Sequence, residues 1–294
     1  MYAPEFDYYR AKSIAEAGEL LKKYPGAKLL AGGHSLIPLL KLRLASPPAL
    51  VDIGRIGELK GLAVKDGKVR IGALTTHAEL ASSTELRAQC PALAEAASHV
   101  GDPAVRNRGT IGGNVAHADP ASDLPTVLTA LGARFESIGP GGKKTITADQ
   151  FFQGMMATAL GEHDVLTDIE VAAQAAGQGG SYVKFVHPAS RYAVIGVAAI
   201  VTAVAGNCTS AVIALGGLVP RPVRASSVEK AIIGQTLTPD TIASAAGRVS
   251  ADLGDEVLGD IFASAEYRRT VAPVWVKRAL TKAAERAMSQ AAAV

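Results

Sequence analysis

Apolar and polar residues alternate between strand-like and helix-like patterns in the first fifty positions. Ser13 followed by Glu16 is a capping box, after which residues 14–21 place their apolar side chains on one helical face. Residues 28–31 form a short apolar run, typical of a strand, that leads into a glycine-rich stretch. Residues 50–53 form a second strand-like run. The pattern predicts a small unit of strand, helix, strand, loop, helix and strand.

The next part of the chain again shows both strand-like and helix-like patterns. Residues 68–72 alternate as a strand does, and Thr76 with Glu79 makes a second capping box at the start of a helix. Residues 91–98 are rich in alanine and residues 124–131 are largely apolar, so both favour helices. We therefore expect a second α/β unit here.

A long uncharged stretch lies in the C-terminal half. No charged residue occurs between Arg191 and Arg221, and residues 193–205 consist mainly of Val, Ile and Ala. This run is shorter than the about 20 residues that a membrane-spanning helix needs, so no transmembrane segment is expected. The pattern predicts two buried strands that are joined by a turn at Gly206 and Asn207.

A stretch rich in glycine and glutamine at residues 172–180 is the best candidate for a domain boundary. Strands and then helices follow it, whereas strands and helices alternate before it. We therefore expect an α+β protein with two α/β subdomains, residues 1–53 and 54–176, and a C-terminal domain, residues 177–294.

Composition and charge narrow the functional classes. Of the 294 residues, 48% are apolar and 19% are charged, which is typical of a well-buried globular protein. The net charge of +3 is spread along the chain, whereas a nucleic-acid-binding surface would be clustered, so nucleic acid is not an expected partner. No basic segment followed by an apolar one opens the chain, so no secretory signal is expected.

Cysteine and histidine positions argue against metal chemistry in this chain. The two cysteines, Cys90 and Cys208, favour a reducing cytoplasm and are too few for an iron–sulfur cluster held by four thiolates. His34 and His77 have no second ligand at the spacing of a metal site, so no metal is expected. No residue is identified as a catalytic acid or base.

Two glycine-rich motifs are the strongest candidates for chemistry. They are AGGHS at residues 31–35, directly after a predicted strand, and TIGGN at residues 110–114. Paired glycines let a backbone approach a bulky anion, and successive N–H groups can surround phosphate oxygens. Neither motif matches the Rossmann or Walker A pattern, so the motifs favour a pyrophosphate ligand in another fold. Alternatively, each glycine pair marks only a tight turn.

Longer runs around these motifs resemble a known family. AGGHSLIPLLKLRL (residues 31–44) and VGDPAVRNRGTIGGN (residues 100–114), followed by Asp119-Pro120 and Ser122-Asp123, resemble the flavoprotein subunit of molybdenum hydroxylases. Within that family the likeness is closest to the medium subunits of aerobic carbon monoxide dehydrogenases. The resemblance implies a vanillyl-alcohol-oxidase-type (PCMH) FAD-binding fold in two α/β subdomains, and a C-terminal three-stranded sheet with helices.

The resemblance also implies which residues bind FAD. The two glycine motifs would contact the pyrophosphate and the part of FAD next to the flavin. Asp123 and Lys184 would make polar contacts with FAD, and Val100 and Leu166 would make apolar contacts. Tyr192 would lie beside the isoalloxazine ring. Each of these has an alternative: Asp123 as a helix N-cap, Lys184 as a solvated strand lysine, and Val100, Leu166 and Tyr192 as core residues. The motif residues are Ala31, Gly32, Gly33, His34, Ser35, Thr110, Ile111, Gly112, Gly113 and Asn114.

Partners follow from the same resemblance. It implies a dimer of heterotrimers with a large molybdopterin-binding subunit and a small subunit that carries 2Fe–2S clusters. Electrons would pass from the clusters through FAD to an external acceptor such as a quinone. The expected location is the cytoplasm, or the inner face of the membrane, reached peripherally through the complex.

Three other functions remain open at this point. The complex could be another molybdenum hydroxylase that acts on an aldehyde or an N-heterocycle, because the large subunit selects the substrate. The chain could also be a stand-alone flavin oxidoreductase, which would turn over substrate by itself. A non-catalytic nucleotide-binding or scaffold protein would bind no flavin tightly.

Overall fold

The computed structural model describes residues 2–291, which form fourteen β-strands and twelve α-helices. Three sheets divide this part of the chain into three units, each with its own buried apolar core. Among residues 2–291, no helix is both long and apolar enough to cross a bilayer.

The first unit is a small parallel sheet with two helices. Strand β3 lies between β1 and β2 and pairs with both in parallel. The side chain of Ser13 accepts a hydrogen bond from the N–H of Glu16, so the predicted helix start is confirmed. The elements are β1 (Asp7–Arg10), α1 (Ile14–Lys23), β2 (Lys28–Leu30), α2 (Leu36–Lys41) and β3 (Ala49–Asp52).

The second unit is built on a five-stranded antiparallel sheet with the order β4-β5-β10-β6-β7. A two-stranded hairpin, β8–β9, stands beside it. The strands are β4 (Leu62–Lys65), β5 (Lys68–Gly72), β6 (Arg134–Gly139), β7 (Gly142–Thr147), β8 (Phe152–Gly154), β9 (Ala157–Thr158) and β10 (Val165–Ala172).

Seven helices belong to the second unit and supply much of its buried apolar core. Thr76 and Glu79 form the predicted capping box at the start of α3, and both predicted helices near residues 91 and 124 are present. The helices are α3 (His77–Ser82), α4 (Thr84–Gln89), α5 (Pro91–His99), α6 (Pro103–Arg106), α7 (Ile111–His117), α8 (Asp123–Ala130) and α9 (Ala148–Phe151), and one 3-10 turn, Gly57–Leu59, precedes them.

The third unit is a four-stranded antiparallel sheet covered by helices. Three long strands form it as expected, and a two-residue fourth strand extends its edge beside β13. Its strands are β11 (Gln178–Val186), β12 (Ala193–Val204), β13 (Asn207–Gly216) and β14 (Val223–Arg224), and its helices are α10 (Ser226–Ile232), α11 (Pro239–Ala246), the 3-10 helix Gly247–Asp252 and α12 (Ala265–Ala291).

The turn between β12 and β13 lies one residue earlier than predicted. Ala205 and Gly206 both have positive φ, at 49° and 78°, as in the two-residue turns that match the twist of a hairpin. Asn207 is already the first residue of β13 and pairs with Val204. The predicted pair of buried strands is otherwise confirmed.

Glu95 of α5 joins the second unit to the third. Its carboxylate accepts a hydrogen bond from the N–H of Tyr182 in β11 at 3.0 Å, lies 3.1 Å from Arg286 of α12, and contacts Lys282 of the same helix. Burial would raise the pKa of Glu95, but these N–H groups and positive charges outweigh burial and hold the pKa below its ordinary value.

We expect Glu95→Gln to lower the free energy of unfolding at pH 7 by about 1–2 kcal/mol, because a hydrogen-bonded and partly exposed charge is lost. The lowered pKa means that Glu95 stabilises the fold above its ordinary pKa and stops doing so as the pH falls through the lowered pKa. Urea unfolding should therefore show a difference that shrinks between pH 7 and about pH 3.5. The control is Glu19→Gln on the exposed face of α1. A pH-independent difference would contradict this assignment.

Candidate functional site

The first glycine motif forms the turn between β2 and α2 and leaves its backbone donors free. Gly33 has a φ of +74°, which favours glycine, and its carbonyl accepts the N–H of Ile37 at 2.9 Å. Within the part of the chain that the structure describes, the N–H groups of Gly32, Gly33, His34 and Ser35 donate no hydrogen bond to protein atoms. Successive free N–H groups of this kind can bind the oxygens of an anion.

The second motif forms the N-cap and first turn of a helix, and not only a tight turn. Thr110 is the N-cap of α7, and its side chain accepts the N–H of Gly113 at 3.1 Å. The N–H groups of Ile111 and Gly112 donate to the carbonyls of residues 75 and 73, and Asn114 donates to Thr110. These donors are therefore satisfied within the protein, and the prediction that they surround phosphate oxygens is not supported by their geometry.

The glycines of the second motif serve close packing instead. A Cβ on Gly112 would lie 2.6 Å from the Cβ of Ala73, so only glycine lets α7 pack against the segment after β5. Gly113 is exposed, and the ideal position of its Cβ is 3.9 Å from the Cβ of Ala31 in the first motif. The second motif therefore presents a smooth glycine surface beside the first.

The two motifs meet where the backbone of Gly32 passes against the backbone of Arg108 and Gly109. We call this contact the crossing. A Cβ on Gly32 would overlap the carbonyl oxygen of Arg108 and lie 2.9 Å from the Cα of Gly109. Glycine at position 32 is thus required for the contact between the first unit and the second. The first motif, whose N–H groups are free, thus lies next to the exposed Gly113 through Ala31.

Asp123 and Lys184 form a buried ion pair between the second unit and the third. The Lys184 Nζ lies 2.9 Å from an Asp123 carboxylate oxygen, and the side chains are 1% and 5% exposed. The Tyr182 hydroxyl donates to the other Asp123 oxygen at 2.6 Å, and Lys184 also donates to the carbonyl of His99 at 3.0 Å. Burial raises the pKa of Asp123, although Lys184 and Tyr182 act in the opposite direction.

These positions decide two of the alternatives. Asp123 is the first residue of α8, and Ser122 is its N-cap residue, so Asp123 is not the N-cap itself. Lys184 is not a solvated strand lysine, because β11 places its ammonium group in the interior. Both residues join α8 of the second unit to β11 of the third.

Two glycines make room for this junction on the third sheet. Gly196 of β12 and Gly216 of β13 are paired in register. A Cβ on Gly196 would lie 2.5 Å from the Tyr182 hydroxyl, and a Cβ on Gly216 would overlap the hydroxyl of Thr126 in α8. The sheet therefore has a notch, made by Gly196 and Gly216, into which α8 and Tyr182 fit.

The remaining predicted site residues fall into two groups. Tyr192 is 44% exposed and immediately precedes β12, so it is not a core tyrosine. Asn114 accepts a hydrogen bond from the Ser122 hydroxyl at 2.8 Å, and the neighbouring Ala121 carbonyl accepts the N–H of Ala193 at 3.0 Å, which places Tyr192 beside this end of α8. Val100 and Leu166 are buried in the core of the second unit.

The chain matches known proteins over nearly its whole length. Residues 4–173 match the FAD binding domain in molybdopterin dehydrogenase, and residues 181–283 match the CO dehydrogenase flavoprotein C-terminal domain. The chain belongs to this family of FAD-binding subunits. Its cofactor is FAD, and the fold expected from the resemblance is confirmed.

Individual relatives carry different names. The chain is 41% identical to the carbon monoxide dehydrogenase medium chain of Hydrogenophaga pseudoflava over 96% of this chain and 98% of that one. It is 38% identical to the glyceraldehyde dehydrogenase medium chain of Sulfolobus acidocaldarius over 97% and 100%. A solved structure of carbon monoxide dehydrogenase from Hydrogenophaga pseudoflava, lacking the Mo-pyranopterin moiety, superposes with a TM-score of 0.93 at 42% identity over 97% of this chain and 99% of that one.

The crossing has the chemistry that this family's cofactor requires. FAD contains a pyrophosphate with negative charge, and the free N–H groups of residues 32–35 are donors without a carboxylate among them. The glycine surface at Gly113 leaves space for the close approach of a ligand. Within residues 2–291, no group of three His, Cys, Asp or Glu side chains could hold a metal ion.

Several residues of this candidate site were not predicted from the sequence. Arg108 and Gly109 form half of the crossing, and they lie within the run at residues 100–114, but nothing in that run indicates their contact with Gly32. Tyr182 has no local signal at all, because its role depends on Asp123 in another unit and on Gly196 in the neighbouring strand.

We expect Lys184→Met to lower the free energy of unfolding by about 3–5 kcal/mol, because it leaves Asp123 buried without its cation. The matched control is Lys68→Met, which removes an exposed ion pair with Glu170 and should cost less than about 1 kcal/mol. Chemical unfolding of both variants measures the difference. Equal effects would show that the Asp123–Lys184 pair is not a buried structural pair.

Proposed function

We propose that this chain is the FAD-carrying electron-transfer subunit of an aerobic carbon monoxide dehydrogenase, a molybdenum hydroxylase complex that oxidises CO to CO2. The observation that carries the proposal is the crossing at Gly32, where free backbone donors and a glycine surface meet in a chain of this family. The high identity to a carbon monoxide dehydrogenase medium chain, across both matched domains, supports the choice of complex.

Residues of the crossing would hold the cofactor. The N–H groups of residues 32–35 would bind the pyrophosphate, with Ala31 and the exposed Gly113 alongside. Asn114 and Tyr192 would lie toward the flavin end, where an aromatic ring can stack on the isoalloxazine. The other predicted site residues are buried, and they would support the residues that contact FAD. They are Val100, Thr110, Ile111, Gly112, Asp123, Leu166 and Lys184.

The bound flavin would supply the redox chemistry, accepting electrons from 2Fe–2S clusters and passing them to an external acceptor such as a quinone. This chain's own residues would position the cofactor and exclude water from it. Cys90 and Cys208 are both buried, and burial raises the pKa of the Cys90 thiol to about 12, so neither is placed to ligate a cluster. The clusters and the molybdopterin cofactor would therefore reside on partner subunits.

The quaternary proposal is a dimer of heterotrimers with a large molybdopterin-binding and a small iron–sulfur subunit, in the cytoplasm. Peripheral contact with the inner membrane face would be made by the assembled complex. The second candidate function is the same role in a complex with another substrate. The 38% identity to a glyceraldehyde dehydrogenase medium chain specifically favours an aldehyde as that substrate.

Two measurements test the function. The purified chain should show a flavin spectrum, with FAD at about one per chain and no iron. Co-expression with the two partner subunits should then give a complex that reduces a dye when CO is added. Dye reduction with glyceraldehyde and not with CO would select the second candidate. Turnover by the isolated chain would contradict the role of an electron-transfer subunit.

We expect Gly32→Ala to abolish stable FAD binding, because its Cβ would overlap the Arg108 carbonyl and separate the two halves of the crossing. Gel filtration followed by an absorption spectrum should show a colourless chain. The control is Gly18→Ala on α1, where a Cβ would meet no atom within 4 Å, and this variant should keep its FAD. Full flavin content in Gly32→Ala would contradict the proposed site.

A further inference from the structure

We propose that His77 is a positioning residue that supports the FAD-binding crossing from below through the edge of its imidazole ring. This inference rests on the proposed FAD site at Gly32. His77 itself would touch no part of the cofactor. It would act through Gly109, against which the first motif packs.

The His77 ring contacts Gly109, and Gly109 contacts Gly32. A Cβ on Gly109 would lie 2.8 Å from His77 Cδ2 and 2.9 Å from His77 Nε2, so the ring edge packs against the bare Cα of Gly109. Gly109 also packs against Gly32, whose Cβ would lie 2.9 Å from the Gly109 Cα. The position of the imidazole ring therefore determines the position of Gly109, and through Gly109 that of Gly32.

The backbone holds the ring in this place. The N–H of His77 donates to the Gly109 carbonyl at 3.0 Å, and the capping box of Thr76 and Glu79 fixes the helix on which His77 is the first residue. Thr76 also pairs with Thr110 as an antiparallel bridge. These bonds join the segment before α3 to the segment before α7, which itself contacts the first motif at Gly32.

The Nδ1 atom of His77 makes no hydrogen bond that would explain a histidine at this position. Its side chain is 2% exposed, and Nδ1 is buried without a hydrogen-bond partner among residues 2–291. Burial, and then the nearby His34 and Arg106, lower the pKa of His77 to about 4, so the ring is neutral at pH 7. A neutral aromatic ring of this size, rather than a charge, is the feature that the crossing uses.

The test compares four variants of the full-length chain by titrating the flavin-free proteins with FAD in a calorimeter. We expect His77→Ala to weaken FAD binding at least about tenfold, since the support of Gly109 is lost. His77→Phe keeps a ring of similar size and should bind within about threefold of the unchanged chain. Gly109→Ala should also weaken binding, because its Cβ would collide with the ring.

The double variant His77→Ala with Gly109→Ala gives the sharpest result. The added methyl group would fill part of the space of the missing ring, so the double variant should bind FAD more tightly than either single variant. A residue that only stabilises the core would not produce this rescue. Additive losses in the double variant would overturn the inference.

A control separates stability from positioning. Leu80→Ala removes a fully buried side chain from the same helix α3 but leaves the crossing untouched. It should lower the melting temperature at least as much as His77→Ala while its FAD dissociation constant stays within about threefold. If the unchanged chain binds FAD and His77→Ala binds it equally well, the inference fails. If the unchanged chain binds no FAD, the proposed function fails instead.

Discussion

The close crossing of two backbone segments is the constraint on which this structure depends. Gly32, from a turn after a parallel strand, lies against Arg108 and Gly109, which directly precede α7 in a different unit. No side chain larger than hydrogen fits there, and the crossing brings the first motif, with its free N–H groups, against the segment that leads into the second motif. The proposed FAD site would thus be formed by two units together, and neither unit would contain it alone.

The third unit holds helix α8 of the second unit in place. Lys184 and Tyr182 reach across to Asp123 at the start of α8, and the notch at Gly196 and Gly216 lets the helix approach the sheet. A buried charge pair with hydrogen bonds at both carboxylate oxygens tolerates little movement, since a displaced partner leaves an unpaired charge in the interior. Residues such as Ser122, Asn114 and Tyr192, which border the proposed flavin end, are thereby tied to a fixed frame.

The sequence predicted the local elements well and the long-range contacts poorly. The N-cap hydrogen bond of Ser13, the capping box at Thr76 and the uncharged strand pair depend on neighbouring residues and were confirmed. The predicted box at Ser13 is only half formed, because the Glu16 carboxylate accepts the N–H of Lys12 and not that of Ser13. The helical first turn at TIGGN was missed because Gly and Asn are poor helix formers, whereas capping by Thr110 and packing on Ala73 override that preference. Asp123 and Lys184 were each identified as important, but their pairing with one another was invisible, since it depends on how two domains dock.

Hydrogen exchange of the purified chain, with and without FAD, tests the central claim most directly. The amides of residues 32–35 have no protein acceptor, so they should exchange rapidly without FAD and become protected when it binds. The amides of residues 111–114 are hydrogen-bonded within the protein and should be protected in both states. Protection by FAD that appears elsewhere and leaves residues 32–35 unchanged would contradict the account.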